Sequence, residues 1–281
     1  MSINAAKMID DVPSLELIKA KQKATWDDGD YAGFAKYMEA GAVEVLDAWN
    51  IDIGNKMLDV GCGSGQTAIP AAKKGIRVTG IDISDNWIEH ARQRNDKARL
   101  DARFDVGDAE DLPYNDNSFD VIISMFGAMF APRPHQVVQE FSRVLPRGGQ
   151  LLMANWTSNS MPAQMFKCVA GVVPPPTGFI PPVLWGDEAT VSERLADDFT
   201  DVKLSRRLYP QWHYPFGASE LVSLFRTHFG PVKRAFEAID TTAQSELHHQ
   251  LEAIYLANSV IENGVLTITG GEYLEVKATR R

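Results

Sequence analysis

Asp59, Gly61, Gly63, Gly65 and Asp82 are the residues whose types and spacing point most directly to chemistry. In Met57-Leu58-Asp59-Val60-Gly61-Cys62-Gly63-Ser64-Gly65 an apolar run stops at an acid and then turns through glycines at every second position. A second apolar run, Gly80-Ile81-Asp82-Ile83-Ser84, ends at another acid 17 positions after Gly65. Glycine has no Cβ, so such a loop can take positive φ and let a ligand approach the main chain. An acid at the first strand end can meet a cationic or amino-bearing group. An acid at the second can accept both hydroxyls of a ribose. This is how a doubly wound α/β sheet presents a nucleotide-like ligand at the carboxyl ends of its first strands.

The spacing separates two ligand classes. A dinucleotide fingerprint reads G-x-G-x-x-G and sets a pyrophosphate on a helix N-terminus. Here Gln66 stands where the third of those glycines would fall. S-adenosylmethionine carries no phosphate, so its site needs an acid and a flat glycine floor more than an anion nest. The pattern therefore favours S-adenosylmethionine over NAD. An oxidoreductase using NAD remains the competing enzyme class, and a protein that binds S-adenosylmethionine without turnover remains the competing non-enzyme.

With these segments the chain resembles the class I S-adenosylmethionine-dependent methyltransferases over about residues 45 to 156. It is nearest to the small-molecule branch that includes ubiquinone- and menaquinone-biosynthesis enzymes. Asp105-Val106-Gly107-Asp108-Ala109-Glu110-Asp111-Leu112-Pro113 is similar to the family's third binding segment. Ser118-Phe119-Asp120-Val121-Ile122-Ile123-Ser124 is similar to its fourth strand, and Phe141 to Met153 to its helix, glycine turn and fifth strand. The resemblance implies a doubly wound, mostly parallel seven-stranded sheet of Rossmann-like type, with an antiparallel last strand, a closing hairpin and a largely helical cap. It implies cofactor contacts from Asp59, Gly61, Cys62, Gly63, Gly65, Asp82 and Ser124. Ile83 would lie flat on the base, Asp108 would take the adenine amino group, and the Ala109 N–H would meet the ring. An N-terminal helix pair would cover the site through Trp26, Tyr31 and Tyr37, and Trp87 would pack near the adenine. Plain core packing is the competing role for these aromatic residues.

The activity so implied moves a methyl group from S-adenosylmethionine to an acceptor, leaving S-adenosylhomocysteine. The cofactor brings the reactive group, so the protein's task is orientation, and no metal is required. A base matters only if the acceptor loses a proton as it attacks. His213, in Gln211-Trp212-His213-Tyr214-Pro215, is the best candidate because it sits among aromatic residues. Candidate acceptor walls are Phe126, Met129, Phe130, Trp156, Met161, Met165, Phe179, Trp185, Trp212 and Tyr214, a set suited to an apolar, planar metabolite.

The elements that must position these residues follow from periodicity. Strands are expected near 57–60, 77–82, 102–106, 119–124 and 150–155, with helices near 66–74, 85–99 and 134–145. Before them lie helices over 13–24 and 34–49; after them come helices near 160–171, 187–197, 218–228 and 243–262 and strands near 201–209 and 272–279. This divides the chain into an N-terminal helical segment (1–45), a cofactor-binding core (46–156) and a cap with the last two strands (157–281).

Composition narrows the partners. A net charge of −9 without a clustered basic face disfavours nucleic acid. Ser124-Met125-Phe126-Gly127 stands where base-amino methylating enzymes carry an Asn/Asp-Pro-Pro-aromatic motif. No run of 18 apolar residues exists, so no stable membrane insertion is expected. The two cysteines, Cys62 and Cys168, and the absence of a secretory pattern at Met1 to Lys7 suit a cytoplasmic protein. The expected partner is a small-molecule methyl acceptor, and the chain is compatible with a monomer or a dimer.

Overall fold

The computed structural model describes residues 14–175 and 179–281, and only the main chain of residues 31 and 32. Helices α1 (Leu15–Trp26), α2 (Tyr31–Ala35) and α3 (Glu39–Ala48) come first. Ser14 and Asp30 begin α1 and α2 by accepting from the N–H groups of Leu17 (3.3 Å) and Gly33 (3.2 Å). The helix expected over 34–49 is broken between Ala35 and Glu39, and α3 buries Ala42, Val45 and Leu46 on one face.

The core then alternates as the periodicity predicts. It runs β1 (Lys56–Val60), α4 (Ala68–Lys73), β2 (Arg77–Asp82), α5 (Asp85–Ala98), β3 (Arg103–Val106), β4 (Val121–Met125), α6 (Pro134–Val144) and β5 (Gln150–Trp156). β1 is buried from Met57 to Val60, and β4 from Val121 to Ser124. Such continuous apolar strands belong to a parallel sheet covered on both faces. The rest of the chain forms α7 (Met161–Val172), α8 (Glu188–Leu195), β6 (Phe199–Leu208), β7 (His213–Tyr214), α9 (Ala218–His228), α10 (Gly230–Glu237), α11 (Thr241–Ala257), β8 (Ser259–Glu262), β9 (Val265–Ile268) and β10 (Glu272–Arg280).

The main sheet has seven strands in the order β3-β2-β1-β4-β5-β10-β6, with β10 antiparallel to both neighbours. Strand order reverses between β1 and β4, so the crevice at their carboxyl ends is the place for a ligand. Register brings Asp59 opposite Gly80 and Ile123, which sets the ends of β1, β2 and β4 side by side.

Two expectations are corrected. The last two strands of the sheet are not a hairpin: β6 and β10 pair antiparallel, but residues 209–271 lie between them. The helix expected to reach residue 262 stops at Ala257, and Ser259–Glu262 pairs instead with Val265–Ile268. Asn263 (φ 51°) and Gly264 (φ 78°) make the two-residue turn, a left-handed pair that matches strand twist. With β7 these strands form a second, three-stranded sheet ordered β7-β9-β8. α10, which opens on Gly230-Pro231, is a further helix that the periodicity did not predict.

Candidate active site

The loop after β1 builds the floor. Gly61, Gly63 and Gly65 take φ of 73°, 54° and 84°. The Gly61 and Cys62 N–H groups both donate to the Ile81 carbonyl, at 2.8 and 3.1 Å, which pins the loop to β2. A Cβ on Gly61 would stand 2.5 Å from the Gly127 Cα, and one on Gly127 would stand 2.7 Å from the Gly61 Cα. The loops after β1 and β4 therefore touch through bare main chain, and a side chain at either position would force them apart.

Asp82 ends β2 at the cavity wall, nearly fully buried. Its two oxygens accept from the Gly63 N–H (2.9 Å) and the Ser84 N–H (3.0 Å). Burial pushes its pKa up to about 6, against the lowering pull of those N–H groups. The carboxylate is thus held rigidly, and its remaining lone pairs are available to a ligand.

One cavity runs from this floor to an aromatic chamber. Of the expected cofactor residues, Gly61, Cys62, Gly63, Asp82, Ile83, Asp108, Ala109, Trp26 and Trp87 line it. Of the expected acceptor walls, Phe126, Phe130, Trp156, Met161, Met165 and Trp212 line it. Phe126 stacks on Trp156 with centroids 3.6 Å apart and planes 2° apart, and Trp156 continues to Trp212 at 5.6 Å. Phe126 holds a φ of 55°, a left-handed conformation that bulky residues rarely take. Such strain is a mark of functional sites. Trp26 meets Trp87, Phe130 and Phe229 edge-on at 5.5, 5.0 and 5.8 Å. It lies between the glycine-loop end of the cavity and the chamber.

Several expected residues stand elsewhere. Asp59 lies under the loop, off the cavity wall, where one oxygen accepts from the Thr67 hydroxyl. Alternation along β1 turns Val60 to the cavity and Asp59 toward the start of α4. Burial lifts the Asp59 pKa to about 7, and the nearby Asp82 charge adds to the rise. Ser124 is also off the wall. Its hydroxyl donates to the Val60 carbonyl (2.7 Å) and accepts from the Ala128 N–H (2.9 Å), tying β4 to β1. Gly65 serves the turn, since a Cβ there would meet Ile69 at 2.9 Å. The side chain of Tyr31 lies outside the described residues.

His213 is displaced from its expected role as base. On β7, Trp212 and Tyr214 point inward and His213 points to solvent, where Nδ1 meets the Thr267 hydroxyl at 2.9 Å. The same strand alternation that put aromatic residues beside it carries it out of the chamber. Trp185 is buried but lies off the cavity wall, its ring covered by the Arg194 guanidinium at 4.7 Å. Met129 turns into the core from the 3-10 turn Ala128–Phe130 while Phe130 faces the cavity. Tyr214 and Phe179 are not on the wall.

The sequence reading missed Phe34, Met38, Phe166, Tyr209, Phe225 and Phe229 on the chamber side, and Lys19 and Gln22 at its mouth. Phe225 and Phe229 are four apart at the end of α9, a helical spacing that signals one shared face. Tyr209 is fixed by donating its hydroxyl to the Met38 carbonyl at 2.7 Å. Among the described residues no group of three or more His, Cys, Asp or Glu side chains is placed to hold a metal ion. No described helix is long and apolar enough to cross a membrane.

Comparison with known proteins agrees with this geometry. The family described as a methyltransferase domain matches residues 58–153. An uncharacterized protein of Mycobacterium tuberculosis is 31% identical over 277 residues, covering 96% of this chain and 99% of that protein. The 27-O-demethylrifamycin SV methyltransferase of Amycolatopsis mediterranei is 39% identical over 113 residues, covering 39% of this chain and 42% of that enzyme. The crystal structure of a putative methyltransferase from Bacillus halodurans superposes with a TM-score of 0.57 at 19% identity, covering 85% of this chain and 97% of that one. Residues 58–153 are a methyltransferase domain, and the protein is a class I S-adenosylmethionine-dependent methyltransferase. The glycine cradle that a Cβ would fill and the anchored Asp82 carboxylate fit that cofactor.

Proposed function

We propose that this enzyme methylates a small, apolar or aromatic metabolite held against the Phe126–Trp156–Trp212 ladder. The observation that carries the reading is that one cavity is lined at one end by the glycine loop and Asp82 and at the other by that ladder. S-adenosylmethionine, when bound, supplies an electrophilic methyl group on a sulfonium.

The chain's own residues do the rest. Asp82 accepts the ribose hydroxyls. Asp108 and the Ala109 N–H read the adenine, with Ile83 flat against the ring. The main chain of Gly61 to Gly63 receives the methionyl end. Asp59 acts from beneath, holding Thr67 and so the shape of the loop. The aromatic chamber excludes water and orients a planar acceptor, and orientation of this kind supplies about 7–11 kcal/mol of a barrier in the best cases. The helices over 15–48 and the elements after 157, apart from the core strands β6 and β10, act as the cap.

Calorimetry with S-adenosylhomocysteine, followed by a mass-shift assay over planar apolar acceptors and matched charged ones, tests the reading. Micromolar binding with transfer to the apolar set is expected. Binding with transfer only to the charged set would overturn the acceptor assignment.

A further inference from the structure

α1 buries none of its own residues, yet its Lys19, Gln22 and Trp26 line the cavity. Its two ends are held differently. At the C-terminal end the Arg234 guanidinium donates to the Ala24 carbonyl (2.9 Å) and to Asp28 (3.1 Å). There Gly230 packs so close that a Cβ would stand 1.9 Å from the Thr25 carbonyl. Further along, Lys23 pairs with Asp27 and Asp85, and the Gln22 amide donates to the Phe130 carbonyl. Nearer the N-terminal end, Lys19 sends its ammonium to Asp108 Oδ2 and Glu110 Oε2, both at 2.5 Å.

The two acids are not equivalent. The Glu110 side chain is fully buried and is also held by the Arg133 main-chain N–H (2.5 Å) and guanidinium (2.8 Å). Asp108 is partly open, and its other oxygen accepts from the Glu110 N–H at 2.9 Å. Beside Asp108 lies a second opening. Lys19, Ala20 and Lys23 of α1 form one wall; Ile83, Val106, Gly107 and Asp108 form the other. Ile83 and Asp108, two of the residues expected to read the cofactor's base, thus share a slot with Lys19 of α1.

We propose that Lys19 is a positioning residue for the cofactor's base. It fixes the Asp108 carboxylate as a hydrogen-bond acceptor beside a second acid, and it draws α1 down as the outer wall of the base slot. The proposal rests on the reading of Asp108 as the adenine contact. Two carboxylates this close repel unless a cation lies between them. Among the described residues Arg133 pairs with Glu110 and not Asp108, and Lys19 is the cation that joins the two acids. When Lys19 lets go, the Asp108 carboxylate keeps, among the described residues, the Glu110 N–H to orient it, and the described part of α1 before Gln22 loses an ionic tie to the core.

The test uses the full chain, calorimetry with S-adenosylhomocysteine and with S-inosylhomocysteine (carbonyl in place of the adenine amino group), and hydrogen exchange of residues 15–26. Lys19→Met is expected to weaken S-adenosylhomocysteine by about tenfold, the size of one lost charged hydrogen bond. It should narrow the preference for the adenine ligand over the inosine one and abolish ligand-induced protection of α1. Lys19→Arg should restore most of both. Equal weakening of the two ligands, or S-adenosylhomocysteine affinity within twofold of wild type, would overturn the proposal. Asp108→Asn separates it from the reading beneath. If Asp108→Asn loses the adenine preference and Lys19→Met does not, only the role of Lys19 fails. If Asp108→Asn binds both ligands as wild type does, the assignment of the base slot fails with it.

Discussion

The two ends of the cavity are built by different means. At the glycine-loop end the shape is set by main chain: positive-φ glycines, N–H groups aimed at the Asp82 carboxylate, and loops whose backbones touch at Gly61 and Gly127. At the proposed acceptor end the shape is set by side chains, rings drawn from segments as distant as Phe34, Trp156 and Phe229. The first kind of site depends on backbone conformations that few sequences allow, so it is specified narrowly. The second depends on volume and polarity, which many residues satisfy. One fold can therefore keep its cofactor while the acceptor end is rebuilt.

The contrast can be broken at Asp82. Asp82→Ala should cost at least about 100-fold in S-adenosylhomocysteine affinity, since it removes an acceptor of two hydroxyl bonds and frees the Gly63 N–H. Calorimetry checks this, and an affinity within threefold of wild type would sink the assignment. Gly127→Val should act almost as strongly by separating two loops, with a loss of stability of about 2–4 kcal/mol read by denaturant titration.

Trp156→Leu sharpens the contrast from the other side. It should raise acceptor KM by about tenfold or more while cofactor affinity changes by less than about threefold. Equal losses in both would mean that the two ends are not separable.

A pH series tests the electrostatics. Folded Asp82 and Asp59 hold their protons up to pH about 6 and 7, whereas unfolded carboxyls release theirs near 3.8. Between those values the folded chain binds more protons, so its ligand-free stability falls as pH rises, by up to about 1.4 kcal/mol per pH unit for each group. Ligand affinity should move the opposite way, weakening below pH about 6 as Asp82 becomes protonated. The smallest effect is expected at His213→Ala, which should leave turnover within about twofold because its ring faces solvent. A large loss there would return His213 to the list of bases.

The same division explains what was legible in the sequence. The core strands and the glycine loop could be read because local rules decide them: apolar runs, glycine spacing, an acid at each strand end. Asp59 was placed one step too close to the ligand, because spacing locates a residue along a strand but not the face it serves. His213 shows the same gap, since its neighbours Trp212 and Tyr214 do point inward. The β8–β9 hairpin was readable and was passed over. Asn263-Gly264 between Val260-Ile261 and Val265-Leu266 is a strong turn signal, but the helical periodicity before it runs up to residue 262 and hides the short strand Ser259–Glu262. Phe34, Phe225 and Phe229 reach the chamber only through packing of distant helices, which no local pattern records.

The placement of β10 has a consequence for how the chain is made. β5 is flanked on one side by β4, but its other edge pairs with a strand that begins at Glu272. As synthesis proceeds from the N-terminus, the residues of β1 to β5 emerge long before that partner exists. During that interval β5 presents a row of unsatisfied N–H and C=O groups beside apolar Leu151, Leu152 and Met153, the kind of edge that invites pairing with other chains. β6 is equally dependent, since within the sheet its neighbour is β10 alone. The closing strand thus makes the longest-range pairing of the sheet, and the enzyme's exposure to aggregation should be governed by how quickly the elements between Tyr209 and Gly271 bring it home.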